Sequence, residues 1–271
     1  VLNIFLGLYC LKLLTELYLS HQNRRAYLDT NKQKEAVLKL GLSDEDFSKA
    51  LSYTESKYWF SLFQKIFEST VFLVFLCLGG FGYLDSLASL WFGTTTTAIP
   101  FYSLGFFLLL FVFSFILGLP FELYQTFSIE EKHGFNRQKL KGFFTDKIKE
   151  VFISLLLGFF LLTAILAVMQ TGSYWWVWCW LTMTAFSLLV SWLYPSLLAP
   201  LFNQFKPLEA GSLKEKIDQL AQKIGFETSG VSIMDASVRS SHGNAYFTEI
   251  FKKKRTSFLQ NILFFARSNF F

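Results

Sequence analysis

Residues 151–205 read VFISLLLGFFLLTAILAVMQTGSYWWVWCWLTMTAFSLLVSWLYPSLLAPLFNQF and contain no Asp, Glu, Lys or Arg. A helix that crosses the hydrocarbon core of a bilayer needs about 20 apolar residues at a rise of about 1.5 Å each. The stretch is long enough for two such helices, and a polar turn at 170–173 (QTGS) divides it. We therefore predict membrane spans over 151–169 and 174–199.

Three more apolar segments precede this stretch, at 1–19, 60–83 and 101–120. Pro100 and Pro120 bound the last of them, and proline favours helix ends. The chain is 52% hydrophobic and 17% charged, whereas soluble domains carry about 25% charged residues. A water-soluble globule is therefore excluded, and the predicted fold class is an all-α polytopic membrane protein with five transmembrane helices.

Among the loops, positive charges occur only in alternate ones. Lys and Arg number seven in the loop at 20–59 and six in the loop at 121–150, but none in the loops at 84–100 and 170–173. Because cytoplasmic loops are the basic ones, we predict that 20–59, 121–150 and the segment after 200 are cytoplasmic. A nucleic-acid-binding protein would cluster its basic residues on one face, so the expected partners are membrane lipids and not nucleic acid.

The N-terminal segment and the cysteines have simple interpretations. A signal peptide places its positive charge before the apolar stretch, whereas Lys12 lies inside it, so 1–19 is predicted to be a retained span. Lys12 and Glu16 are one helical turn apart and are expected to pair. Cys10, Cys77 and Cys179 each lie within an apolar run, which argues against disulfide, metal or redox chemistry.

Some segments are typical of soluble structure. Ser43 is predicted to cap a helix, with Leu42 packing on Phe47. Residues 212–215 (SLKE) resemble a capping box, and an apolar stripe at helical spacing follows them. Alternating residues at 231–234 and 244–248 predict two strands. These elements indicate a short α+β segment after the last span.

Blocks in a fixed order carry a family resemblance. They are IEEKHGFN at 129–136, YPSLLAPLFNQFKPL at 194–208, DASVRSSHGNAYF at 235–247 and, more weakly, ALSYT at 50–54. The sequence resembles the type I CAAX prenyl proteases, which are integral-membrane zinc metalloendopeptidases. The resemblance implies five spans of a seven-helix fold built around a water-filled chamber. It divides the chain into a multi-spanning membrane region at 1–206, the start of a cytoplasmic metallopeptidase domain at 207–255 and an atypical tail at 256–271.

The zinc chemistry of this family needs a His-Glu-x-x-His helix, in which two His ligands share one face and the Glu acts as general base. The histidines here are His21, His133 and His242, and no two are four apart. Zinc is thus expected in the complete family protein and not in this chain, and no catalytic or metal-binding residue is assigned. Glu249 stands where the family typically has Gly, and 256–271 does not fit what should follow. Our hypothesis is that the tail is truncated or out of frame.

The resemblance implies a substrate-binding strand edge at Asn244, Ala245, Tyr246 and Phe247, where an extended peptide docks. Asn244 would orient the backbone of the substrate. The alternative is that Gly243 and Asn244 form a turn, with Tyr246 and Phe247 in the core.

Arg239 has the chemistry to bind a substrate carboxylate in a bidentate manner, and the alternative is a local ion pair with Asp235. His133 lies in a charged loop, where a solvated or capping role is expected. Ser241 and His242 do not predict a serine hydrolase, because adjacent strand residues point to opposite faces.

The function implied by the resemblance is cleavage of CAAX-type proteins near their C-terminus, in a bacterial inner membrane or the endoplasmic reticulum. One alternative is an inactive membrane scaffold or gene fragment. Another is a transporter, which would carry ionisable groups in mid-membrane. The span interiors are assigned no ionisable groups beyond the pair of Lys12 and Glu16. This scarcity favours the hydrolase family over a transporter.

Overall fold

The protein is described here by a computed structural model. It describes residues 2–29, 31, 33, 35, 37, 39, 41, 43–93, 99–223, 231–243, 245–250 and 253–259, with backbone alone for 99–100, 236, 245–250 and 253–259. Its helices are α1 (Leu2–Leu28), α2 (Asp44–Cys77), α3 (Gly80–Phe92), α4 (Ile99–Tyr124), α5 (Leu140–Val168), α6 (Trp175–Leu193), α7 (Ala199–Phe202) and α8 (Ser212–Lys223). π-Helical segments follow α4 at Gln125–Glu130 and α6 at Tyr194–Leu198.

Within the described residues, five helical segments are long and apolar enough to cross a membrane. They are Leu2–Leu28, Asp44–Cys77, Phe101–Glu130, Leu140–Val168 and Trp175–Phe202. The predicted number of spans is confirmed. The polar N-terminus of α2, which precedes its apolar window, is capped. The Ser43 hydroxyl accepts a hydrogen bond from the Asp46 amide at 3.1 Å, as predicted. Leu42, its expected hydrophobic partner, lies outside the described residues.

The second predicted span, 60–83, is wrong at its end. α2 stops at Cys77, and Gly79 has a φ of 75°, a left-handed conformation that glycine adopts without steric cost. α3 then begins at Gly80 and runs to Phe92, through residues 84–92 that were predicted to be a loop. A Gly-Gly pair inside an apolar run leaves the hydropathy high, so hydropathy alone does not reveal the break.

Ion pairs join α1 to α2. The predicted pair of Lys12 and Glu16 is confirmed, with a separation of 3.6 Å. Glu16 also pairs with Lys65 of α2 at 3.3 Å, and Lys65 lies inside the predicted span 60–83. The assignment of a single charged pair to the span interiors is therefore wrong. Near the end of α1, Arg24 pairs with Glu55 at 2.7 Å. Charged groups at membrane depth are costly unless they are paired, and these pairs fix the position of α1 against α2.

Aromatic rings pack α2 against α4. The ring centroids of Phe75 and Phe113 are 4.8 Å apart, and those of Phe67 and Phe121 are 5.2 Å apart. Such pairs contribute about 0.5–1.5 kcal/mol beyond the area that they bury. The first of two compact units consists of α1–α3 together with Gly105–His133.

The second compact unit includes the chain from Gly134 onward. Its strands are β1 (Phe205–Pro207), β2 (Val231–Met234), β3 (Ala245–Ile250) and β4 (Lys253–Leu259), in the order β1-β2-β4-β3. β4 pairs parallel with β2 and antiparallel with β3. β2 is as predicted and β3 lies where a strand was expected, whereas β1 and β4 were not predicted. β4 also runs across the predicted boundary between 255 and 256.

The capping box predicted at Ser212 is wrong. The amide of Glu215 donates to the Gly211 carbonyl at 3.1 Å, so the first helical turn begins at Gly211 and Ser212 lies within it. The apolar stripe of α8 is directed partly to the interior: Ala221 is buried, but Leu220 is 59% exposed.

Gly105 should be essential for the packing of α4 in the first unit. A Cβ at this position would collide with the Phe92 ring, whereas a Cβ at Gly118 of the same helix would meet no atom within 4 Å. We expect Gly105→Ala to destabilise the protein by about 1–3 kcal/mol and Gly118→Ala to have no such effect. Thermal unfolding in detergent measures both. Phe92→Ala should relieve Gly105→Ala, and equal stability of the two alanine variants would contradict the packing.

Candidate functional site

The loop that begins at Gly134 pairs with the chain segment that precedes β3. Gly134 has a φ of 77°, which directs the chain away from the preceding helical turn. The Arg137 amide donates to the Arg239 carbonyl at 3.1 Å, and the Ser241 amide donates to the Phe135 carbonyl at 2.9 Å. Two of the sequence blocks, 129–136 and 235–247, thus meet in a short antiparallel ladder.

Side chains reinforce this ladder. The His242 imidazole stacks on the Phe135 ring, with centroids 4.1 Å apart and an interplanar angle of 16°. The Ser241 hydroxyl donates to the Gly134 carbonyl at 2.9 Å, and so it is directed to the backbone and not to the adjacent imidazole. These contacts are structural, and they agree with the prediction that Ser241 and His242 are not a nucleophile and its base.

Arg239 lies at the centre of the site. Its Nε donates to Asp146 Oδ2 at 2.7 Å and its Nη2 donates to Asp146 Oδ1 at 3.1 Å, while Nη1 donates to Asn203 Oδ1 at 3.1 Å. The ion pair predicted with Asp235 is wrong, because the planar guanidinium matches the two oxygens of Asp146 in a bidentate geometry. The hydrogen bonds to the Asp146 carboxylate raise the pKa of Arg239.

The block at 194–208 joins the same site through its backbone. The Gln204 amide donates to Asp235 Oδ1 at 2.7 Å, and the Asp235 amide donates to the Gln204 carbonyl at 3.1 Å. β1 and β2 then pair from Phe205 and Met234 onward. We call the cluster formed by Gly134–Arg137, Asp146, Asn203, Gln204 and 235–242 the junction.

β3 leaves the junction and lies at the end of the sheet. Of its two edges, one pairs with β4, and none of the other described strands pairs with the second. Ala245, Tyr246 and Phe247 lie on β3, opposite Phe258, Ser257 and Thr256 of β4. Asn244 lies outside the described residues. Among the described strands, β3 is thus the last of the sheet, and the docking role predicted for its edge stays a prediction.

His133 and Tyr53 form a separate cluster in the first unit. His133 Nε2 lies 3.1 Å from the Ser56 hydroxyl, and the Tyr53 hydroxyl donates to Glu130 Oε1 at 2.6 Å. The rings of His133 and Tyr53 are in edge contact, with centroids 5.2 Å apart. The expectation of a solvated or capping role for His133 is therefore wrong. Both residues belong to blocks that carry the family resemblance, 50–54 and 129–136. Their presence in the same family pattern is the sequence feature that could have predicted this contact.

Comparison with known proteins identifies the family. Residues 23–204 match the profile of a family described as "CAAX prenyl protease N-terminal, five membrane helices". That match extends over more than half of the chain and agrees with the five candidate spans.

The chain belongs to the CAAX prenyl protease family.

Its relatives include a human CAAX prenyl protease 1 homolog, which is 35% identical over 255 residues, or 92% of this chain and 53% of the human protein. A homolog from Oryza sativa subsp. japonica is 46% identical over 145 residues, or 53% of this chain and 34% of that protein. The crystal structure of S. mikatae Ste24p superposes with a TM-score of 0.84 at 30% identity, over 95% of this chain and 61% of that chain. The chain spans about half the length of the curated relatives it matches.

The zinc of this family does not fit the residues described here. Among the described positions, no group of three or more His, Cys, Asp or Glu side chains is arranged to hold a metal ion. His242 stacks on Phe135, and His133 contacts Ser56. Neither histidine therefore belongs to a metal site among the described residues.

The pair of Asp146 and Arg239 should hold the junction together. The two side chains are 21% and 29% exposed, so Asp146→Asn leaves a partly buried guanidinium without its counter-charge. We expect a loss of about 1–3 kcal/mol in the free energy of unfolding, measured by thermal denaturation in detergent. Lys49→Ala, which breaks an exposed pair with Glu45, is the control and should have no measurable effect.

A charge swap tests the same contact from the other direction. The double variant Asp146→Arg, Arg239→Asp should recover part of the stability that either single substitution loses. If the double variant is as unstable as the sum of the single variants, the ion pair does not hold the junction.

Proposed function

We propose that this chain provides the membrane region and the substrate-docking strand of a zinc metalloendopeptidase that cleaves CAAX-type, usually prenylated, proteins near their C-terminus. Membership of the CAAX prenyl protease family supports the reaction class. The observation that carries the docking role is that one edge of β3, directly after the junction, pairs with none of the other described strands.

An extended peptide is the ligand that suits this edge. A terminal strand presents backbone N–H and C=O groups that its own sheet does not use, and an incoming strand pairs with them. Most of the affinity then comes from the backbone of the peptide, so substrates with different side chains are accepted. In this proposal, Ala245, Tyr246 and Phe247 form the docking edge, and Asn244 orients the backbone of the substrate.

Arg239 acts in this proposal as a positioning residue and not as a ligand of the substrate carboxylate. Its Nε, Nη1 and Nη2 atoms already donate to Asp146 and Asn203. A substrate carboxylate would have to displace one of these partners. The pair instead anchors the segment that leads into β3, and so it determines where the docking edge begins.

The catalytic zinc is assigned to the complete family protein and not to these residues. Zinc bound by a His-Glu-x-x-His helix would supply an activated water for hydrolysis, and that motif is absent from the 271 residues. We propose that the chain by itself binds peptide without cleaving it. A non-catalytic membrane scaffold is the alternative function, and peptide binding at β3 separates the two.

The distribution of basic residues supports a proposal for the sidedness of the loops. We propose that the loops at 20–59 and 121–150, the junction and the sheet are cytoplasmic, because the basic residues concentrate there. The docking strand would then face the compartment in which prenylated substrates are made. The membrane is the endoplasmic reticulum or a bacterial inner membrane.

Backbone methylation of a peptide tests the docking mode. A synthetic peptide with a C-terminal CAAX sequence should bind the detergent-solubilised chain, and N-methylation at one alternate set of amides should weaken binding about tenfold or more. Methylation of the other set, which faces away from β3, is the matched control and should have little effect. Isothermal titration measures the affinities. Equal loss for both sets would contradict strand addition.

The same preparation tests the assignment of the zinc chemistry. Zinc content and turnover of the peptide are measured alongside binding. Stoichiometric zinc or cleavage by the 271-residue chain would overturn the proposal that these residues dock the substrate without hydrolysing it.

Cysteine labelling tests the sidedness. After Cys10, Cys77 and Cys179 are replaced by Ser, Lys139→Cys and Thr171→Cys place single thiols at exposed positions before and after α5. With the chain expressed in a bacterial inner membrane, an impermeant maleimide applied to intact cells should reach only the periplasmic side, labelling Thr171→Cys and sparing Lys139→Cys until the cells are permeabilised. Labelling of both from the outside would contradict the predicted topology.

A further inference from the structure

A cavity of about 620 Å³ lies in the first unit, between α2 and the end of α4 with its π-helical segment. This volume is within the range of about 300–1,000 Å³ that is typical of small-molecule sites. One wall is aromatic and is made of Trp59, Phe60, Phe63, Phe121 and Tyr124. The proposed docking of peptides uses none of these residues, so the cavity has no role in the function proposed above.

The cavity lies at the polar end of two membrane spans. Trp59 is near the start of the apolar part of α2, and Tyr124 ends α4, directly before the segment that leads to Lys132. Trp59, Phe63 and Tyr124 are 54%, 61% and 56% exposed, so the aromatic wall is accessible from outside the protein. Trp and Tyr in this position are typical of the interface between lipid and water.

The π-helical segment supplies the polar part of the lining. Pro120 precedes it and has no N–H to donate, and the wide turns that follow place Ser128 and the buried Ile129 against the cavity. π-Helical turns occur often at functional sites because they redirect side chains out of the normal helical register. A hydroxyl from each helix, Ser56 and Ser128, thus borders an otherwise apolar space.

Lys132 gives the cavity a positive charge. The other residues that line the cavity are uncharged. No ion pair joins Lys132 to any other residue that the structure describes. The nearby Arg24 guanidinium lies 5.1 Å from the Trp59 ring, but Glu55 neutralises it. Glu130 accepts a hydrogen bond from Tyr53 and does not line the cavity. The remaining cation therefore favours an anionic ligand.

We infer that this cavity binds an anionic phospholipid of the surrounding membrane, with an acyl chain against the aromatic wall and the headgroup phosphate at Lys132. A zwitterionic lipid also carries a phosphate, but its quaternary ammonium offsets the attraction of that phosphate to Lys132. A soluble phosphate would leave the aromatic wall uncovered. An anionic phospholipid satisfies both parts at once. Basic pockets between membrane helices recognise anionic headgroups by this combination of contacts.

Native mass spectrometry of the full 271-residue chain in detergent tests the inference. The chain is titrated with phosphatidylserine and with phosphatidylcholine that carries the same acyl chains. We expect phosphatidylserine to bind about tenfold more tightly, because its carboxylate gives Lys132 a second anionic partner that phosphatidylcholine lacks, and a hydrogen bond between charged groups contributes a free energy of that order. Lys132→Ala should remove this preference. Lys141→Ala, at an exposed lysine outside the cavity lining, is the control and should retain it.

A second variant tests the apolar part of the site. Ser128→Phe places a ring in the cavity while Lys132 remains, and it should weaken the binding of both lipids. Three results would overturn the inference. They are equal affinity of the native chain for the two lipids, competition by inorganic phosphate alone, and binding of a farnesylated peptide that displaces the lipid and is unaffected by Lys132→Ala.

Discussion

Backbone amides and carbonyls inside a bilayer must find partners within their own segment, because the hydrocarbon offers none. This constraint explains why the membrane region is helical and why departures from the α-helical ladder are few in the described spans. The departures occur beside proline: the π-helical segment after Pro120 lines the aromatic cavity, and that at Tyr194–Leu198, which contains Pro195, leads to the junction.

Much of the membrane region was predictable, because hydropathy is a local property. The charge-free stretch at 151–205 predicted two spans, and α5 and α6 lie there. The break at Gly79 was missed, since glycine conformation is not visible in a hydropathy window. β4 was missed for a different reason. Its sequence is basic and lacks alternation, and it becomes a strand through its pairing with β2 and β3. Tertiary contacts override local pattern in such cases.

The site was predictable only in part. Family blocks pointed to β3 and to the segment before it, but they did not indicate which charges pair. The ion pair considered for Arg239 was with Asp235, four residues away. In the structure Arg239 pairs with Asp146, 93 residues away in the sequence. Sequence distance is a poor guide to ion pairs once a chain is folded back on itself. Bidentate geometry decided the partner, and geometry of this kind requires coordinates.

The order of strands in the sheet has a consequence for synthesis on the ribosome. β4 is the last of the four strands along the chain, yet it lies between β2 and β3. During translation, the edge of β2 that pairs with β4 has no partner until Leu259 has been synthesised. Only then can β4, together with β3, pair with β2. A nascent chain therefore exposes unpaired strand edges for the time needed to add about two dozen residues, which makes this interval the natural moment for a chaperone to act.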